Sequence, residues 1–159
     1  PHNVSSGTQG LIGNDYPNFS YSNAFVIVLN HASATSKFAL FNKPDSSTRL
    51  CETSSLSNDV WHHIVFSRIS STITPYTNGV AGTSGSSSSS IRLYGGAGGS
   101  NSSFIGKYWN GEFDGNIAVA RVYKGKGLTA SEVLQNFDAM RGRFESKPLI
   151  VSGISYSLT

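Results

Sequence analysis

The sequence predicts an all-β domain: an antiparallel two-sheet β-sandwich carrying one short C-terminal helix. Three observations predict it. Short apolar stretches recur along the 159 residues with turn-forming residues between them. Charged residues make up 13% of the chain, about half of the roughly 25% usual in soluble domains, so the many turns are built from Ser, Thr, Asn and Gly. One segment near the end, Thr129-Ala130-Ser131-Glu132, breaks the alternation with the signature of a helix start.

The stretches at 24–30, 37–42, 48–53, 61–69, 72–77, 91–94, 103–108 and 116–123 have the length and β-branched or aromatic content of strands. Phe38 and Leu40 fall on one face of their stretch and Ala39 and Phe41 on the other, which predicts a strand covered on both sides. The stretch at 24–29 reads the same way. Between the runs ending at Thr77 and beginning at Val80 stand Asn78 and Gly79, the pair best suited to the positive φ angles of a two-residue hairpin turn. The segment 82–90, with five consecutive serines, offers no apolar side chain to fold around and is expected to be a mobile surface loop, as is 95–102.

At Thr129 the hydroxyl is placed to accept from the amide of Glu132 while that carboxylate reaches back, so a helix is expected to begin there. Val133, Leu134, Phe137 and Met140 follow at helical spacing as its apolar face, and Gly142 is placed to end it. The stretch 148–158 returns to strand-like alternation.

Charge and cysteine content narrow the function classes. The formal net charge is +3, but the basic residues are scattered until Lys124, Lys126, Arg141, Arg143 and Lys147, and no basic stripe tracks a helix or aromatic platform, which argues against nucleic acid as a partner. The single cysteine, Cys51, has no partner for an internal disulfide and lies in an apolar alternation, so a buried, inert thiol is expected. No run approaches the roughly 18 apolar residues that span a bilayer, and no membrane insertion is expected. The chain begins Pro1-His2-Asn3 without a starting Met and reads as a mature product or a piece of a longer polypeptide.

Three pieces, in order, resemble the laminin-G-like, pentraxin-like jelly-roll family of the concanavalin A-like lectin/glucanase superfamily. Trp61-His62-His63-Ile64-Val65-Phe66-Ser67-Arg68 is similar to its Trp-x-His strand, and Tyr76-Thr77-Asn78-Gly79 to its Tyr-x-Asn-Gly hairpin. Phe104-Ile105-Gly106, Phe113-Asp114-Gly115-Asn116-Ile117, Arg121-Val122-Tyr123 and Leu128-Thr129-Ala130-Ser131-Glu132-Val133 resemble its closing strand and helix. The resemblance implies a jelly roll over 1–147, with 148–159 as a further strand or the lead into another segment. It departs at the start: the family opens with two strands before the segment like Gln9-Gly10-Leu11-Ile12-Gly13, and they are not found here. The chain is expected either to extend upstream or to close its sheets with 149–156 and a neighbour, since an open edge invites aggregation.

Such domains are frequent in bacteriophage virion proteins. The resemblance therefore implies a non-enzymatic structural or attachment module of a virion surface, as a capsid decoration or tail-fibre protein. Its expected partners are other virion proteins and copies of itself, its location the virion or the extracellular space, and no cofactor is expected. A carbohydrate-binding receptor-recognition domain is the first alternative, with Tyr108, Trp109 and Asn110 as the candidate glycan residues, because an exposed aromatic pair at a strand end can stack on a sugar ring. Asp15-Tyr16-Pro17 and Asn18-Phe19 form a comparable aromatic loop.

A polysaccharide depolymerase is the second alternative, resting on Glu112 and Asp114. The third carboxylate of glucanase strands is replaced here by Gly115 and Asn116, and a retaining mechanism needs a carboxyl pair flanking the sugar. Adjacent His62 and His63 on a strand point to opposite faces, one to the core and one to solvent, which is wrong for joint chelation. No metal is assigned; Asp114 is the weak candidate, since calcium needs six to eight oxygens and these loops offer only Glu112 and Asp114 as acids. No nucleophile-elbow pattern surrounds a serine, and the run 95–99 lacks the Lys-Ser/Thr of a phosphate loop.

Overall fold

The structure, a computed structural model, describes residues 7–14, 25–31, 35–42, 49–90, 103–108 and 111–144. Its strands are β1 (Gln9–Asn14), β2 (Phe25–Leu29), β3 (Phe38–Asn42), β4 (Arg49–Glu52), β5 (Ile64–Ile69), β6 (Thr72–Thr77), β7 (Val80–Ala81), β8 (Gly85–Ser86), β9 (Ser103–Ile105), β10 (Lys107–Tyr108) and β11 (Gly111–Glu112), followed by the helix α1 (Ala130–Arg141). One antiparallel sheet has the order β4-β3-β2-β1-β9; the second is built on β5-β6-β7 with β8 also on β6, and β10-β11 form a small ribbon. This is the predicted two-sheet sandwich with one C-terminal helix.

The period-two pattern explains the layers. On the face of the five-stranded sheet toward its partner, Leu29, Phe38 and Leu56 pack with Ile64, Phe66 and Phe113, and Leu40 and Cys51 pack with Ile73 and Phe66. On the opposite face, Val26, Val28, Ala39 and Phe41 form a separate buried cluster with Phe104. Both faces of β2 and β3 are thus apolar, as the sequence predicts. Cys51 is buried, and desolvation pushes its thiol up to about 12, which makes it the inert core residue expected.

Where strands end, buried side chains replace ladder bonds. The Asn14 Oδ1 accepts from the Phe25 amide at 2.8 Å, Gln9 Oε1 from the Asp114 amide at 2.9 Å, and Thr53 Oγ1 from the Phe38 amide at 3.0 Å. The Asn78-Gly79 turn closes β6 onto β7 with Thr77 opposite Val80 and both turn residues at positive φ, 52° and 81°.

The helix packs on the outer face of the second sheet. Val65 and Tyr76 lie opposite each other across β5 and β6 and meet fully buried Val133 and Leu128 there. The capping box forms as predicted: Thr129 Oγ1 accepts from the Glu132 amide at 3.3 Å, and Glu132 Oε2 accepts from the Thr129 amide at 2.9 Å. Lys126 and Thr129 together hold the Glu132 carboxyl down to about 2. Leu134, expected on the apolar face, is instead 47% exposed, because the contact with the sheet is narrow and centres on Val133.

Two further expectations are corrected. The serine-rich segment is not free of the body: β8 within it pairs with β6, the Ser87 amide donates to the Ser71 carbonyl at 2.9 Å, and Arg68 donates to the carbonyls of Ser87 and Ser89. A guanidinium and backbone bonds do what apolar side chains cannot do there. The segment 116–123, expected to be a strand, joins neither sheet by a ladder. It is pinned after its end, where Ser67 Oγ donates to the Leu128 carbonyl at 2.6 Å and Gly127 packs against the Arg68 carbonyl, and before its start, where the Phe113 amide donates to Gly106. Between those pins it stands off β5, leaving Ile117, Val119, Val122 and Tyr123 partly exposed. The expected strand at 91–94, the loop at 95–102 and the stretch at 148–158 lie outside the described residues.

Candidate ligand-binding groove

The space between the approach to β5, the segment 116–123 and α1 is an open groove of about 820 Å³. The extended segment contributes Asn116 to Val119 consecutively, then Arg121 and Tyr123, while Val122 and Lys124 are not part of the lining. The other wall is Trp61, His62 and His63, which precede the first ladder bond of β5. The helix supplies Asn136, Phe137, Met140 and Arg141, and Phe144 beyond its end also lines the groove.

Local chemistry fixes the wall at His63. Its amide donates to Asn78 Oδ1 at 2.8 Å, and the Asn78 amide donates back to the His63 carbonyl at 2.8 Å, so the strand and the hairpin turn brace each other. The turn in turn carries the helix: a Cβ on Gly79 would stand 2.9 Å from Leu134 Cδ1, and only a residue without one, at a φ of 81°, fits.

Aromatic rings line the groove in two contacts. Trp61 lies against Phe144 with centroids 5.0 Å apart, and His63 lies against Phe137 at 5.9 Å. Trp61 keeps 37% of its surface exposed, so an indole face held by Phe144 remains open to the groove.

Electrostatically the lining is positive. Arg121 has no carboxylate within ion-pair reach among the described residues, and Arg141 meets Asp138 only loosely at 3.6 Å across exposed surface. Burial, and then the nearby Arg121 charge, lower the His63 pKa below the ordinary 6.5, so the imidazole is neutral at pH 7. Its Nδ1 is buried with no hydrogen-bond partner among the described residues. Among the described residues, Asp59 is the one carboxylate lining the groove.

The two carboxylates singled out from the sequence lie elsewhere. Tyr108 ends β10, and Trp109 and Asn110 lie outside the described residues. Glu112 is exposed on β11 at 3.8 Å from Lys107, and Asp114 is exposed two residues further on; neither lines the groove. No cluster of three or more His, Cys, Asp or Glu side chains that could hold a metal occurs among the described residues. His62 and His63 do not divide into one core and one surface residue. Both are half-buried and both line the groove, because they stand ahead of the ladder that would impose strict alternation. Sequence reading missed Trp61, Arg121, Asn136 and Phe144 as a group, although the Trp-His-His run and the late basic residues were the available signals.

Residues 2–134 match the family model of the concanavalin A-like lectin/glucanases superfamily, a laminin G type. The chain belongs to that superfamily. Among solved structures this laminin G-like domain is similar to an S-layer domain-containing protein (residues 221–444) from Clostridium thermocellum ATCC 27405, at 18% identity, covering 85% of this chain and 65% of that one, with a TM-score of 0.43. The laminin G-like domain thus spans about 65% of the length of that structure. No curated protein matches it. The superfamily takes its name from lectins, which bind carbohydrate, and glucanases, which cleave it. Among the described residues, no helix is long and apolar enough to cross a membrane.

Proposed function

We propose that this domain is a non-enzymatic attachment module that binds a saccharide in the groove between β5, the segment 116–123 and α1. The observation that carries the reading is the make-up of the groove: a half-exposed Trp61 face backed by Phe144, the Phe137 ring, and the polar groups of Asn116, Asn136, His63 and Arg121 around about 820 Å³ of open space. Concave, aromatic-rich sites with a few convergent polar groups are what orient small polar ligands. A sugar needs such a pairing, since its C–H face stacks on a ring while its hydroxyls seek amide and guanidinium partners. Glycoside hydrolysis needs two carboxyl groups flanking the bond, which supports binding over cleavage here.

A glycan array tests the proposal. Reproducible binding that Trp61→Ala abolishes, with the variant still folded by circular dichroism, supports it; binding lost in Trp109→Ala and retained in Trp61→Ala assigns the site to the β10–β11 hairpin instead and refutes the groove. New reducing ends released from a bound polysaccharide, and lost in Glu112→Gln, would make the protein a depolymerase.

A structural role in a virion surface is a second reading, favoured by exposed apolar side chains at Ile69, Val80, Ile105 and Val122, 52% to 71% accessible. Copies of this chain or other virion proteins are the partners proposed. Sedimentation equilibrium tests the self-association: an oligomer that dissociates in Val80→Ser/Val122→Ser supports it, and a monomer at every concentration refutes it.

A further inference from the structure

The chain leaves the described residues at the groove itself. Phe144 lines it and stands 5.0 Å from the Trp61 ring, and residues 145–159 follow. Pro148 biases Lys147 toward extended backbone and away from any continuation of α1, so the chain can turn back within 145–148. Beyond the turn, Ile150, Ile154, Tyr156 and Leu158 alternate with Val151, Gly153, Ser155 and Ser157, Ser152 being the one small residue on the first face. A period of two places the bulky apolar side chains on one side of a strand and the small ones on the other. No charged residue occurs in 148–158.

The groove is shaped for such a strand. One wall, 116–123, is extended backbone that belongs to no ladder among the described residues, and β5, paired with β6, contributes Ile64 and Val65 to the lining. Extended backbone without a ladder partner is a template for a further strand. Segments 116–123 and 149–156 are equal in length, so one can lie along the whole of the other. Ile117, Val119 and Trp61 each keep more than a third of their surface exposed, and an apolar strand face laid over them would remove that surface from water.

We propose that 149–156 of the same chain docks in the groove as an added strand, with Ile150 and Ile154 against its apolar lining, and that a ligand of the groove has to displace it. This goes beyond the saccharide reading and does not depend on it. The chain's own tail is favoured over that of a second copy because it starts at the groove wall, and a link of a few residues holds it there at high effective concentration. Strand β9 offers a rival edge at the end of the five-stranded sheet, with Ile105 exposed beside it, but it contributes nothing to the groove where the chain emerges.

A spin label on Ser155→Cys in the full, isotopically labelled chain tests the proposal. Cys51 is buried with its thiol pushed up to about 12, so the new cysteine takes the label. The label should broaden the Trp61 indole, the Asn136 side-chain amide and the Val119 amide, and Ile150→Ser/Ile154→Ser in the same chain should restore those signals. Broadening confined to β9 and β1, or groove signals that stay sharp, overturns the proposal. Broadening of an unlabelled isotopic chain by a spin-labelled partner in a mixed sample, absent from the labelled chain diluted alone, overturns it in favour of a second copy's tail. The double serine variant should also bind the tightest glycan from the array about tenfold more tightly, the factor by which a tail docked about 90% of the time weakens apparent affinity. Unchanged affinity overturns the displacement. An absence of any glycan binding removes the saccharide reading and leaves the docked tail to be judged by the broadening.

Discussion

Shortening Val133 to alanine isolates the contact that sets one wall of the groove. The side chain is fully buried and touches Tyr76, Leu128 and Val65, so it joins α1 to the outer face of the second sheet. Val133→Ala removes two buried methyl groups, worth about 1.6 kcal/mol at roughly 0.8 kcal/mol each. The surrounding strands cannot collapse fully into the space, so a cavity term brings the total to about 2 kcal/mol. For a domain of this length, that corresponds to a fall in Tm of roughly 4–8 °C. Leu134, its neighbour in sequence, is 47% exposed and touches the Gly79 turn with its covered part, and Leu134→Ala should cost about 1 kcal/mol, half the loss at Val133. Thermal melts followed by circular dichroism, together with urea titrations of both variants, read the difference directly. Equal losses in the two variants, or a loss under about 0.5 kcal/mol at Val133, would refute the placement of the helix and with it the groove wall.

Other perturbations follow from the same contacts. A Cβ at Gly127 would overlap the Arg68 carbonyl oxygen, whereas one at Gly142 meets nothing within 4 Å; Gly127→Ala should cost about 2 kcal/mol or more in a denaturant titration, and Gly142→Ala under about 0.5 kcal/mol. His63 has its pKa lowered by burial, with Arg121 adding to the effect. The unfolded chain therefore binds the extra proton first as pH falls below 6.5, stability declines below that pH, and His63→Gln should flatten part of the slope measured between pH 7.5 and 5. His31, lowered in the same direction by burial and Arg49, accounts for slope that survives the substitution. Glu132 should titrate at about 2 by NMR, and Lys126→Met, which removes the largest cause of the depression, should raise that value toward 4.5; an unchanged titration would show that the lysine does not hold the carboxylate.

The parts of the fold legible in the sequence are those decided within a few residues. Asn78-Gly79 specifies its turn because few other residue pairs tolerate two positive φ angles, and the capping box at Thr129 satisfies helix amides that have no other partner. The double-sided burial of β2 and β3 follows from apolar residues at consecutive positions. What escaped the sequence depends on distant partners. Leu134 has the same helical spacing as Val133, and only the sheet beneath decides which of them is covered. The serine run carries no apolar signal, yet Arg68, from β5, binds its carbonyls. The segment 116–123 has the alternation of a strand, but pairing also requires an edge at ladder distance, and its two anchors hold it away from β5.

The groove was the least legible element for the same reason. Trp61, Arg121, Phe137 and Phe144 lie far apart in the chain and converge only when α1 lies on the second sheet and 116–123 passes beside β5. A reading by neighbours instead selects Tyr108, Trp109 and Asn110, because adjacent aromatics and an amide stand out locally. In the sequence Arg121 is one of the scattered basic residues and Arg141 one of the late group, and only the fold brings the two to one opening.

The saccharide groove is tested most directly by titrating the isotopically labelled chain with the tightest glycan from the array and following backbone, indole and side-chain amide signals by two-dimensional NMR. The account predicts saturable shifts at the Trp61 indole, the Asn136 side-chain amide and the backbone of His63 and Arg121. Shifts confined to the hairpin of β10 and β11, with those groove signals unmoved at saturation, would contradict it.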